Sequence, residues 1–209
     1  MCNEECEPIK KCIFKYADPR FAIIPDSFDD YYKEVKTNAR ARYRKAKEAG
    51  FEVRKVDTPN SNDILDIYRS KDQRQGRDIN FFYELPQGGK VDIRLGWPIQ
   101  DYSVFDCDKH YFDFYGCFLK DKMVAFLELL HSNTLASVYM TMGHGDYLKQ
   151  GIMKFLFMEA IRMNIGKIKY FHYVEFDYLD ERVLFMEDLR IINHNQTEHL
   201  QGVSYYGNR

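Results

Sequence analysis

One stretch of this chain restricts its fold more than any other: Leu135 to Tyr178, LASVYMTMGHGDYLKQGIMKFLFMEAIRMNIGKIKYFHYVEFDY. It reads as strand, polar glycine loop, buried helix and strand. Leu135 to Met142 is a short run rich in strand-forming residues. Gly143 to Gly151 is a loop with three glycines. Ile152 to Asn164 is apolar all round, so the spacing predicts a buried helix. Ile168 to Phe176 is strand-like again, rich in aromatics and valine. A unit of this kind leaves free backbone N–H groups at the helix start, where an anionic group can rest.

The rest of the chain supplies a sheet and more helices around that unit. Cys12 to Ile24 predicts one or two short strands around the turn Ala17-Asp18-Pro19. Ser27 to Ala49 predicts a helix, with Ser27 and Asp30 as a capping pair and Gly50 as the stop. Its outward positions carry Lys33, Lys36, Arg40, Arg42, Arg44, Lys45 and Lys47. Two readings stay open for that row: a solvated basic face, or an anion-binding ridge for phosphates of a cofactor or of tRNA. Phe51 to Val56 predicts a strand, Ser61 to about Arg74 a helix, and Phe81 to Leu85 a short strand. Pro86 to His110 is irregular and is the candidate substrate-facing loop. Tyr111 to Leu119 and Met123 to Leu130 predict a hairpin. With Leu135 onward they make three consecutive antiparallel strands. A helix then crosses over, which requires the strand at 168–176 to run parallel to its predecessor. A helix from Asp180 to about Leu189 and a strand from Glu198 to Tyr206 complete the order. Residues 1–12 read as a loose tail and 13–209 as one mixed α/β (α+β) domain.

Composition narrows the class. The 209 residues are 45% hydrophobic and 30% charged, with a net charge of −2. That is a globular balance without a global field for nucleic acid. No apolar run is long enough to span a bilayer and no leader precedes the first strand, so the expectation is cytoplasmic. The five cysteines, Cys2, Cys6, Cys12, Cys107 and Cys117, are expected as free thiols. Cys2, Cys6 and Cys12 could supply three metal ligands, but their spacing matches no strong zinc pattern and no metal is expected.

The predicted order of elements is that of the GNAT acyltransferase fold. Thr37 to Val56, TNARARYRKAKEAGFEVRKV, resembles the basic helix, AG stop and strand of its FemAB-like branch. Tyr115 to Leu130, YGCFLKDKMVAFLELL, is similar to the hairpin that precedes the donor-binding strand. The resemblance implies a single GNAT-like domain that moves an acyl or aminoacyl group to an amine. The donor would be an acyl-CoA such as acetyl-CoA, or an aminoacyl-tRNA, held between the strands at 135–142 and 168–176. Two family features are absent. Aligning Gly151 with the first glycine of the Q/R-x-x-G-x-G/A loop puts Leu148 and Met153 at its other positions. Met186 stands where many acetyltransferases carry a Tyr.

The chemistry sets the candidate residues. An amine must lose a proton and a carbonyl oxygen must be stabilised. Glu128, His144 and Glu175 are the candidate bases, with His172 considered beside them. Glu128 stands in the apolar run MVAFLELL, where an inward side chain would have a perturbed pKa; outward, it is an ordinary alternating position. His144 is either catalytic or a loop residue that caps the next helix. His172 and Glu175 have opposite strand parity, so at most one faces the cleft. Met142 and Gly143 would serve the oxyanion, and Gly151, Ile152 and Lys149 the donor, with Lys154 nearby. Arg40, Arg42, Arg44, Lys45 and Lys47 would contact RNA. The alternatives are a catalytically degenerate binding module and a nucleic-acid-associated protein using the basic helix.

Overall fold

The computed structural model describes residues 20–71, 73–74, 77–78, 109–173 and 185–193. The expected strand at 81–85, most of the 86–110 loop, the tail strand at 198–206, Glu175, and Cys2, Cys6, Cys12 and Cys107 lie outside these. The architecture is a mixed, mostly antiparallel seven-stranded sheet flanked by helices. In chain order the elements are β1 (Arg20–Ile23), α1 (Phe28–Glu34), α2 (Thr37–Glu48), β2 (Phe51–Lys55), α3 (Ser61–Arg69), β3 (Gln73–Arg74) and β4 (Arg77–Asp78). They continue with β5 (His110–Leu119), β6 (Lys122–Ser132), β7 (Leu135–Gly143), α4 (Ile152–Asn164), β8 (Tyr170–Tyr173) and β9 (Ile192–Asn193). A 3₁₀ turn over Gly145–Gln150 joins β7 to α4.

The sheet order is β2-β5-β6-β7-β8-β1-β9, with β3 and β4 forming a separate two-stranded ribbon. The antiparallel β5-β6-β7 meander and the parallel β7–β8 pair are as the sequence predicts. β1 pairs antiparallel with β8 on the far side of the meander. The predicted helix over 27–49 is two helices. Val35 and Lys36 are both extended between them, and the Lys36 N–H donates to the Asp188 carbonyl instead of continuing the first helix. Arg40 clamps this break through the Lys33 carbonyl (3.1 Å) and the Thr37 hydroxyl (3.2 Å). Periodicity hides the break because Tyr31, Val35, Ala39 and Tyr43 all bury into the same core. α3 stops at Arg69, short of the expected Arg74. The Ser70 hydroxyl caps the Ile67 carbonyl at 2.6 Å, and the chain turns into the β3–β4 ribbon.

Two apolar cores sit on the two faces of the sheet. The larger lies under α1, α2 and α4, which bring Tyr31, Tyr43, Phe155, Phe157 and Ile161 onto Tyr115, Leu127, Leu129 and Phe171. The smaller lies under α3, where Ile64 and Ile67 meet Met123 and Phe126, with Phe114, Met140 and Met142 beside them. The observed α4 has the predicted bounds, and nine of its thirteen residues are buried. A helix this apolar is fixed by burial on most sides, each large side chain contributing about 1.5–3 kcal/mol. Cys117 is buried within the larger core, and burial pushes its thiol up to about 12. No described helix is long and apolar enough to cross a membrane.

Candidate functional site

The parallel register of β7 and β8 runs from Leu135 opposite Tyr170 to Val138 opposite Tyr173. The next residue of β7, Tyr139, is a bulge. On the β6 side Glu128 pairs with Met140 and Leu129 with Val138, so Tyr139 is the extra residue between them. A bulge of this kind bends its strand and re-aims a side chain. Tyr139 is 39% exposed and meets Phe112 edge-on at 5.2 Å.

Glu128 sits at this step. It is buried at 7% exposure, with Phe114 opposite it on β5 and Met140 opposite it on β7. Strand alternation puts it on the same face as Phe126, the side that α3 covers. Of its two open orientations, the structure shows the inward one. Its charge reaches Tyr139: burial first, and then Glu128, push the Tyr139 phenol up.

The loop beyond β7 is held by side chains. His144 is buried, and its Nδ1 accepts the Asp146 N–H at 3.3 Å. Its Nε2 lies 3.3 Å from Asp66 of α3, which also pairs with Lys122 at 2.5 Å. The Gly145 N–H donates to the Ser70 hydroxyl at 2.7 Å. These contacts bolt the loop onto α3, and His144 caps the 3₁₀ turn. Met142 and Gly143 stand in the β6–β7 ladder opposite Phe126 and Ala125.

Gly151 and Ile152 begin α4. Gly151 has φ +87°, and a Cβ there would lie 2.7 Å from the Arg42 carbonyl oxygen. A glycine is required both for the left-handed backbone and for the close approach of α2. The Lys149 carbonyl accepts from Arg42 Nη1 at 2.8 Å and from Lys45 Nζ at 3.4 Å. Lys154 is bound to Asp188, which also accepts from Asn38 Nδ2 at 2.6 Å. Its charge is thereby neutralised within the protein. The basic row on α2 is partly structural too. Arg40 clamps the α1–α2 break, Lys47 lies over the Tyr43 ring at 5.9 Å, and Lys36 pairs with Glu187 at 2.9 Å. Arg44 is exposed.

Sequence reasoning missed a buried polar network under α4. Asp113 of β5 pairs with Lys55 at 2.6 Å and lies 3.4 Å from His131 Nε2. The Tyr115 hydroxyl donates to Asp113 at 3.0 Å and accepts from Asn164 Nδ2 at 2.7 Å. Tyr111 stacks on His131 at 4.4 Å. Burial alone would raise the Asp113 carboxyl, but His131 and then Lys55 bring it down to about 2. The signal was a lone aspartate in the aromatic run YFDFY. His172 is fully buried on β8, within 3.1 Å of the Ser137 hydroxyl, and burial pushes its imidazole down to about 4. No group of three or more His, Cys, Asp or Glu among the described residues is placed to hold a metal ion.

No protein-family model matches this sequence, and no curated protein does. Solved structures do. FemX superposes with a TM-score of 0.53 at 10% identity, over 82% of this chain and 58% of FemX. A conserved protein of unknown function from Bacteroides thetaiotaomicron gives 0.54 at 11% identity, over 85% and 56%. L-PGS from Bacillus licheniformis gives 0.49 at 16% identity, over 85% and 58%. The chain thus spans less than three-fifths of the length of each of these structures. At these identities the likeness is one of architecture, and the chain has the fold of the part of FemX that it matches.

Proposed function

We propose that the protein is an acyltransferase that moves an aminoacyl or acyl group from an activated donor directly onto an amine. The observation that carries this reading is the burial of Glu128 at the bulge of β7, one residue beyond the last described pair of β7 and β8. A donor carbonyl held at that step would meet three groups. Glu128 would accept the amine proton. The backbone around Met142 and Gly143 would face the developing oxyanion. The start of α4 at Gly151 and Ile152, with Lys149, would lie along the donor's tail.

The loop favours an aminoacyl-tRNA over acetyl-CoA as donor. The space above Gly151 is taken by the Arg42 carbonyl, and Lys154 is neutralised by Asp188. A pyrophosphate therefore finds no bare glycine there, and Lys154 is already paired. Arg44, with Lys45 and Lys47 beside it, is the proposed RNA contact on the outer face of α2. A second reading, a non-catalytic module on the same scaffold, is favoured by His144, whose Nδ1 is engaged in a cap and whose Nε2 lies against Asp66.

The test is transfer of label to n-butylamine from a mixed aminoacyl-tRNA pool and from acetyl-CoA, with thermal shift for each donor. Transfer from the tRNA pool alone supports the aminoacyl version. Transfer from acetyl-CoA alone returns the site to ordinary acetyl chemistry. Absence of both transfer and thermal shift overturns the reading and leaves the binding module.

A further inference from the structure

We propose that Tyr139 is the proton donor to the leaving group in this reaction. The inference rests on the transferase reading of the β7 step and adds the group that the reading lacks. Met186 occupies the position at which related acetyltransferases carry a Tyr, and it is buried at 2% exposure. The described structure offers a different phenol at the right step of the sheet.

Three features select Tyr139. It is the bulged residue of β7, directly after the last described register pair with β8. Its ring is turned onto Phe112, a residue of the same face as Glu128 by strand alternation. Among the described residues it is one of three large apolar or aromatic side chains that are exposed, at 39%. Exposed tyrosine on an apolar sheet face has its hydroxyl within reach of a ligand while its ring is held by packing. The buried Glu128 carboxylate behind it interacts with the phenol through charge.

The step balances with these two groups alone. The amine nitrogen attacks the donor carbonyl carbon, forming the C–N bond, and its proton passes to the Glu128 carboxylate. The bond from the carbonyl carbon to the ester oxygen breaks, and that oxygen takes the Tyr139 phenol proton. The Tyr139 phenolate then recovers a proton from the Glu128 carboxylic acid, because a phenolate is the stronger base. Both groups finish as they began, and no further reactant is needed.

A proton donor matters in proportion to the basicity of the leaving group. That gives a readout a structural role would not move. The experiment compares wild-type protein with Tyr139→Phe, using an aminoacyl-tRNA and the corresponding aminoacyl p-nitrophenyl ester, both with n-butylamine. The ribose alkoxide requires a proton as it leaves, whereas p-nitrophenolate does not. The expected result is a loss of about 10²-fold with the tRNA ester, the lower range for one acid–base group, and near wild-type transfer with the nitrophenyl ester. Equal losses with both donors, or no loss with either, overturn the assignment. Tyr139→Phe keeps the ring against Phe112, and an unchanged melting temperature confirms that the packing survives. A wild-type protein inactive with both donors overturns the transferase reading and this inference with it. A wild-type protein that transfers, with an indifferent Tyr139→Phe, overturns only the role of Tyr139.

Discussion

Asp113 and Glu128 are two buried carboxylates on neighbouring strands, one step apart in register and on opposite faces of the sheet. Asp113 pairs with Leu129, and Phe114 pairs with Glu128. Their exposures are nearly equal, 5% and 7%. Their surroundings are not alike. Asp113 has Lys55, His131 and the Tyr115 hydroxyl around it. Glu128 has Phe114 and Met140 as its cross-strand neighbours and lies at the bulge beside an exposed tyrosine. Burial alone therefore does not mark a functional acid. A carboxylate that is saturated by partners under a helix holds the sheet together. The reactive role is the one proposed for the carboxylate placed at a strand irregularity beside an accessible side chain.

The sharpest way to break that contrast is to remove each charge in turn. Glu128→Gln keeps the side-chain volume and is expected to lower transfer by about 10²–10⁴-fold, with little change in the urea midpoint. If its stability falls and its transfer persists, Glu128 is structural and the contrast fails. Asp113→Ala is expected to do the opposite. It leaves Lys55 and the Tyr115 hydroxyl without their acceptor and His131 without the carboxylate beside it, at a cost of about 3 kcal/mol, toward the low end for a broken buried pair because Lys55 is partly exposed. Urea unfolding measures that cost, and transfer per folded molecule should be retained.

How much of this was legible in the sequence follows the range of the interactions involved. The β5-β6-β7 meander, the parallel β8 and the bounds of α4 depend on local patterns, and they were readable from Leu135–Tyr178 and the hairpin before it. The break at Val35 and Lys36 was not readable, since helical spacing continues through it and the Lys36 N–H finds its acceptor at Asp188. Gly151 belongs by sequence to the candidate donor loop, but its close approach to the Arg42 carbonyl, far away in sequence, is in no local pattern. Glu128 was singled out by its apolar run, yet its orientation depended on the pleat, which periodicity alone leaves open. The bulge at Tyr139 needs register between β6 and β7, and no single-strand pattern contains that. The Asp113 network needs four elements at once.

The pH dependence of stability sharpens the contrast by a smaller amount. The Asp113 carboxyl lies at about 2 in the folded protein against an ordinary value of 3.8. A depressed folded-state value means that its stabilisation is fully present above about 4 and is lost as pH falls toward 2. Linkage over that interval gives about 2 kcal/mol. Urea midpoints between pH 6 and 2 should therefore fall more steeply in the wild type than in Asp113→Asn. Parallel slopes in the two proteins would show that Asp113 is not held by its partners in solution.

The smallest expected effect tests whether the network is shared or rests on Lys55 alone. Tyr115→Phe removes one hydroxyl, which donates to Asp113 and accepts from Asn164. Asp113 keeps Lys55 and His131, and Asn164 Nδ2 keeps the Ala160 carbonyl at 2.8 Å. Each partner thus retains a second contact, and the ring continues to fill the core. The expected cost is about 1 kcal/mol, that of a single hydrogen bond whose groups are not orphaned. A double-mutant cycle with Asp113→Ala reads the coupling directly. If the two losses add, the hydroxyl contributes independently, and Asp113 is held by Lys55 and His131. If Tyr115→Phe costs nothing further once Asp113 is gone, the phenol acts through the carboxylate. That outcome extends the structural face of the comparison from β2 through β5 to the end of α4.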